Sequence, residues 1–189
     1  MKVQDSGMPE ENLWNSFFDI PSILSKMEIT IQIQNLVEIG SGYGTFTIPT
    51  ANIISGDLYA FDIESEMLTY VKEKQHFHNL SNIILEKRDI LTETTGLKNN
   101  SIDYFMLFNI LHNNKPTQFL EEAYRILKPG GKIGIIHWRK DIETPRGPEL
   151  SIRPTPEQII KIVDLEKFTL HKKPFLLKPY HYGLILIKK

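Results

Sequence analysis

Apolar residues along the chain gather in short runs, and between the runs they recur every three or four positions; this alternation sets in near residue 36. Runs at 36–39, 58–61, 83–85, 104–108 and 133–136 are too short for helices and are followed by polar or turn-forming residues. They predict five strands of a parallel sheet buried on both faces. Helices fill the gaps. The clearest spans 116–127, where Phe119, Leu120, Ala123, Ile126 and Leu127 fall at helical spacing. Pro116 suits its first turn and Lys128-Pro-Gly-Gly131 stops it.

A second helix is predicted from Thr155 to about residue 167, because Thr155-Pro-Glu-Gln158 has the capping-box pattern with proline at the first helical position. Two further strand-like runs, 168–177 and 182–187, are joined so closely that they must pair antiparallel. Ahead of the first strand, Leu13, Trp14, Phe17, Phe18, Ile20, Ile23 and Leu24 predict an amphipathic helix over 12–27, broken near Pro21 and packed over the ligand edge of the sheet. The sum is an α/β chain, doubly wound, with a mostly parallel seven-stranded sheet whose last strand is antiparallel. One domain is expected. It divides into an N-terminal helical cap (1–35), a ligand-binding core (36–140), and a lid loop, helix and terminal hairpin (141–189).

Length and charge narrow the function. A chain of 189 residues suits a single domain. A net charge of −1 gives no field to gather phosphate backbones, so nucleic acid is not expected as a partner. The absence of cysteine excludes disulfides, thiolate metal sites and a cysteine nucleophile. Residues 1–14 lack the apolar stretch of a signal peptide, and no segment approaches the roughly 18 apolar residues of a membrane span. A cytoplasmic protein without a membrane span is the expectation.

The chemistry begins at Val37-Glu-Ile-Gly-Ser-Gly-Tyr-Gly44, which leaves an apolar strand, crosses three glycines and enters a helical stretch, 45–54. Glycines there let the backbone turn sharply and come close to a ligand. The next strand ends in Asp62, roughly 20 residues on, where a carboxylate accepts bonds from ribose hydroxyls. Loop and acid together define a nucleoside site. The spacing is G-x-G-x-G with Glu38 before it, whereas dinucleotide binders place G-x-G-x-x-G against a pyrophosphate. An acid at that strand end favours a cationic ligand such as S-adenosylmethionine (SAM) over an anionic one.

From this loop onward the chain resembles the class I SAM-dependent methyltransferases, closest to the small soluble branch of quinone-biosynthesis enzymes. The resemblance rests on the glycine loop, Tyr59-Ala-Phe-Asp-Ile63, Lys87-Arg-Asp-Ile90, the stretch 102–112 and Tyr124-Arg-Ile-Leu-Lys-Pro-Gly-Gly131. It implies a Rossmann-like methyltransferase fold, SAM as cofactor and transfer of a methyl group to a small-molecule acceptor. By position it assigns Glu38, Gly40, Ser41, Gly42, Tyr43 and Gly44 to the methionine and ribose end of SAM. Asp62 would bind the ribose hydroxyls, Ile63 and Ile90 would flank the adenine, Asp89 would accept from its amino group, and Asn109 would close the pocket. Tyr43 stands where the family often has a small residue, and Pro49 falls early in the first helix, where it removes a donor unless that helix begins late.

Methyl transfer from a sulfonium needs alignment, desolvation and, for a protonated acceptor, a base. His112 and His137 lie at the ends of the fourth and fifth strands and are the candidate bases, with pocket-shaping as the alternative role. Residues 138–154 lack periodicity and carry Arg139, Arg146 and Arg153 among prolines, which marks a lid over the acceptor; arginines there can clasp an anion. Tyr180-His-Tyr182 is close enough in the pattern to reach the same side. His76 and His78 point in different directions, and no metal site is expected. Two other readings stay open: an NAD(P)-dependent oxidoreductase on a similar sheet, and a SAM-binding module without turnover.

Overall fold

The computed structural model describes residues 9–189. The apolar runs become strands β1 (Asn35–Ile39), β2 (Asp57–Asp62), β3 (Ile83–Lys87), β4 (Ile102–Phe108), β5 (Leu127–Trp138), β6 (Phe168–Leu177) and β7 (His181–Lys188). The helices are α1 (Glu11–Asn15), α2 (Ile20–Lys26), α3 (Thr47–Ile53), α4 (Ser65–Phe77), α5 (Ile90–Glu93), α6 (Pro116–Ile126) and α7 (Pro156–Ile162). All seven strands form one sheet in the order β3-β2-β1-β4-β5-β7-β6. Strands β1 to β5 pair in parallel, and β7 runs antiparallel to both β5 and β6. The single reversed strand is therefore the last.

Alternation within each strand divides the core in two. Leu36, Leu58, Tyr104, Met106 and Ile136 pack on one face with α2 and α3, while Val37, Phe61, Phe105, Leu107 and Ile135 pack on the other with α6 and α7. Both faces are covered, which is why the strands read as unbroken apolar runs. Strand order turns back between β1 and β4, so the chain splays apart at their carboxyl ends and leaves a crevice there.

The elements depart from the sequence pattern in four places. The N-terminal helix is two helices, parted before Pro21 rather than at it: Asp19 caps α2 by accepting from the Ser22 amide, and Pro21 sits in the first turn, where no donor is needed. Helix α3 begins only at Thr47, which places Pro49 likewise in a first turn. Helix α7 has the expected capping box at Thr155 and Gln158 but stops at Ile162. The Asp164 side chain there takes the Glu166 amide, a local turn that competes with continuing the helix. Finally, β5 begins at Leu127, directly after α6. Its Pro-Gly-Gly stretch is an irregularity in the β4–β5 ladder, where the register jumps between the Ile102–Leu127 and Tyr104–Lys132 pairs.

Candidate active site

The carboxyl end of β1 carries Glu38, buried at 3% exposure, with its Oε2 accepting the Thr47 hydroxyl at 2.5 Å. Burial pushes its pKa up to about 8, and the nearby Asp62 adds to the shift. The glycine loop follows, with Gly40, Gly42 and Gly44 all in the left-handed region at φ 75°, 51° and 78°. Three of its amides are clasped by β2: Gly40 and Ser41 donate to the Phe61 carbonyl at 2.8 and 3.3 Å, and Gly42 donates to Asp62 Oδ2 at 3.0 Å. Asp62 Oδ1 takes the Glu64 amide at 2.9 Å. Both Asp62 oxygens thus hold backbone donors, and the Ile63 amide adds to them. Burial raises the Asp62 pKa against those bonds.

The N-terminal cap is fastened to the same loop. Thr45 donates to the Asn15 side chain at 2.7 Å, and Lys74 donates to the Tyr43 carbonyl at 2.6 Å and pairs with Glu11. This brings Trp14 into the crevice wall. Tyr43 packs edge-on against Tyr70, with centroids 5.3 Å apart. Asp89 caps α5 by accepting from the Leu91 amide at 3.0 Å, and Ile63 and Ile90 line the crevice beside it.

Beyond β4, Asn109 adopts φ 57° and anchors its amide on the Ile136 carbonyl at 2.8 Å. Both polar atoms of its side chain are buried with no bond among the described residues, and so is the Ser41 hydroxyl. Buried polar atoms without partners are costly, and a crevice wall is where a ligand relieves them. His112, half-buried, lines the crevice, and its Nδ1 lies 3.2 Å from His137 Nε2. His137 itself has 0% exposure and reaches the crevice only through His112; burial first, then His112, drives its pKa well below the ordinary value.

Residues 139–153 cross the mouth as a strap tied at both ends to the β7 side: the Arg139 amide donates to the Tyr180 carbonyl at 2.8 Å, and the Tyr182 hydroxyl donates to the Pro154 carbonyl at 2.6 Å. Arg153 gathers the strap from within, bonding the carbonyls of Pro148, Arg139 and Arg146 and the Thr144 hydroxyl. Arg139 pairs with Asp141. Tyr180 and His181 pack on Trp138 behind the wall, and none of the three residues 180–182 lines the crevice. His76 and His78 are exposed at the far end of α4.

The space enclosed is about 990 Å³, at the upper end of the roughly 300–1,000 Å³ of small-molecule sites and roomy enough for two ligands side by side. It collects Glu38, Gly40, Ser41, Gly42, Tyr43, Asp62, Ile63, Asp89, Ile90, Asn109 and His112 on one surface; Gly44 and His137 stand behind it. Thr47, Phe46, Phe108 and Trp138 were not singled out by the pattern as site residues, because each reads as ordinary core. Among the described residues no helix is long and apolar enough to cross a membrane.

A family model described as a methyltransferase domain matches residues 37–135. Among curated proteins, the ubiquinone/menaquinone biosynthesis C-methyltransferase UbiE of Rickettsia prowazekii is 32% identical over 133 residues, covering 62% of this chain and 51% of that protein. The chain thus spans about half the length of that relative, and 40% of a methyltransferase-like protein of Schizosaccharomyces pombe to which it is 27% identical. Among solved structures, a SAM-dependent methyltransferase from Aquifex aeolicus superposes with a TM-score of 0.81 at 23% identity, over 92% of this chain and 91% of that one.

Proposed function

Because the chain belongs to the methyltransferase-domain family, we propose that its crevice binds SAM and passes the methyl group to a small-molecule acceptor held beside it. The observation that carries this reading is Glu38: a buried carboxyl with a raised pKa, no cation bonded to it among the described residues, at the strand end where a left-handed glycine loop opens. Such a group invites a cationic ligand, and SAM is one.

Its residues fit the molecule. Glu38 and the glycine loop would hold the methionine end, and Asp62, at the crevice edge, would take the ribose hydroxyls. Ile63 and Ile90 would flank the adenine, Asp89 would accept from its amino group, and the orphaned Asn109 amide would close the floor. Bound there, SAM supplies an electrophilic methyl group on a sulfonium. The chain supplies alignment and dryness, through Trp14, Phe108 and Trp138 in the wall. His112 lines the crevice and would accept the proton of an acceptor hydroxyl or amine. His137, enclosed and neutral, acts through His112 by fixing its tautomer and ring orientation, a positioning role rather than direct base catalysis.

Titration calorimetry tests the first claim: SAM binds and NADH does not, and absence of SAM binding refutes the reading. Release of S-adenosylhomocysteine (SAH) with an acceptor separates an enzyme from a binding module. With transfer established, His112→Gln lowers kcat and leaves the SAM dissociation constant unchanged; full activity in that variant removes the base assignment.

A further inference from the structure

The charged groups around the crevice are largely sorted by sign: Arg88, beside Asp89, is paired with Glu86, and Glu149 lies on the strap. Glu38, Asp62 and Asp89 sit at the ends of β1, β2 and β3, on the side assigned to SAM. Arg146 and Arg153 sit on the strap at the opposite side, beyond β5. Arg153 is only 5% exposed, yet every bond it makes goes to a neutral acceptor, three carbonyls and one hydroxyl. One of its Nη2 protons is unassigned among the described residues. Arg146 is exposed, and its side chain makes no ion pair or hydrogen bond among the described residues. The strap's own carboxylates do not answer this charge: Asp141 is committed to Arg139, Glu149 is exposed and takes the Ser151 hydroxyl, and Glu143 is exposed with no ion pair to either arginine among the described residues.

A buried cation without a counter-charge is expensive, because carbonyl dipoles replace only part of its hydration. Had Arg153 served only to fold the strap, neutral donors would do so without that cost. Against the guanidinium lies the indole of Trp138, 5.7 Å from ring centroid to Cζ, and Trp14, Phe46 and Phe108 continue the apolar wall. The site therefore offers a flat apolar surface ending in positive charge.

We propose that the acceptor is a small apolar molecule bearing an oxyanion, a carboxylate or phosphate, that lodges against Arg146 and Arg153 at the strap end of the crevice. This rests on the reading of the crevice as a methyl-transfer site and names the class of molecule that reading left open.

The test titrates SAH-loaded protein with benzoate, phenyl phosphate, benzamide and benzylamine in a calorimeter. The two anions bind about tenfold or more tightly than benzamide, the order expected for one charge-assisted hydrogen bond, and benzylamine binds least. A preference for phenyl phosphate over benzoate identifies phosphate as the group recognised, and the converse identifies carboxylate. Arg146→Gln removes about a factor of ten from anion binding, and Arg146→Glu moves the preference toward benzylamine; both leave SAH affinity unchanged. Arg146 is exposed, so these variants fold. Equal binding across the panel, no binding of either anion, or an order unmoved by Arg146→Glu overturns the proposal. Failure of SAH itself to bind falls instead on the methyl-transfer reading and takes the proposal with it.

Discussion

Glu38→Gln isolates the buried carboxyl at the centre of the SAM end. Glutamine matches the protonated acid in shape and can still accept the Thr47 hydroxyl, so the perturbation removes a titration and little else. In the fold, burial pushes the carboxyl pKa up to about 8 from its ordinary 4.5. Between those values the folded chain holds a proton that the unfolded chain releases, so wild-type stability falls as pH rises from about 4.5 to about 8 and then levels. The interval sets a ceiling of roughly 5 kcal/mol on the loss. Urea denaturation of both proteins across pH 5–9 reads it, and the difference between them cancels the contributions of other groups. The two proteins are expected to be similar near pH 5, with the variant increasingly more stable toward pH 8. At pH 7 the wild-type carboxyl is then mostly protonated. Capture of a cationic ligand then expels that proton, which calorimetry detects as a binding heat that changes with the ionisation enthalpy of the buffer. The variant shows no such change. A stability difference constant across pH, or equal proton release in both proteins, refutes the reasoning.

Asp62→Ala leaves the Gly42 and Glu64 amides without their acceptor; it is expected to cost roughly 1–3 kcal/mol in urea and to abolish SAM binding by calorimetry, and an unchanged affinity would remove Asp62 from the site. His181 is buried with neither ring nitrogen bonded among the described residues, and burial pushes its pKa down to about 3. Below pH 6.5 the unfolded chain takes up a proton here that the folded chain does not, so stability falls as pH drops from 6.5 toward 3. With its unbonded nitrogens removed, His181→Phe, stacking on Phe18, gains roughly 1 kcal/mol near neutrality and more at pH 5. Urea midpoints at the two pH values check this. Gly147 lies at φ 114°, and a methyl group there would sit 2.9 Å from both Arg153 Nη2 and Trp138 Cδ2. Gly147→Ala therefore strains the strap by roughly 1–3 kcal/mol and speeds tryptic cleavage after Arg146, while SAM affinity holds.

The half of the crevice that we assign to SAM was largely legible in the chain, and the half that we assign to the acceptor was not. Strands buried on both faces announce themselves as apolar runs, and a loop that needs φ > 0 at three positions demands glycine there. Asp62 follows because the fold fixes where the second strand ends. By contrast, the Thr47 bond to Glu38 and the choice between His112 and His137 depend on which way side chains turn at the strand ends, and local spacing does not carry that information. The Pro-Gly-Gly stretch concealed the true start of β5, since the same residues that make a turn also make an irregular strand. Arg153 read as one of three arginines in an unpatterned loop; its burial arises only when that loop folds back over Trp138.

Residues 139–153 leave and rejoin the body of the protein at neighbouring points, Tyr180 and Tyr182 at the start of β7, and they hold their shape through a guanidinium of their own. A segment with fixed ends and internal bracing can be exchanged for another of different length or charge without disturbing the sheet. On the proposed reading, substrate range would be separable from cofactor capture: replacing one contiguous stretch would re-address the catalyst, leaving the methyl donor's berth as it was.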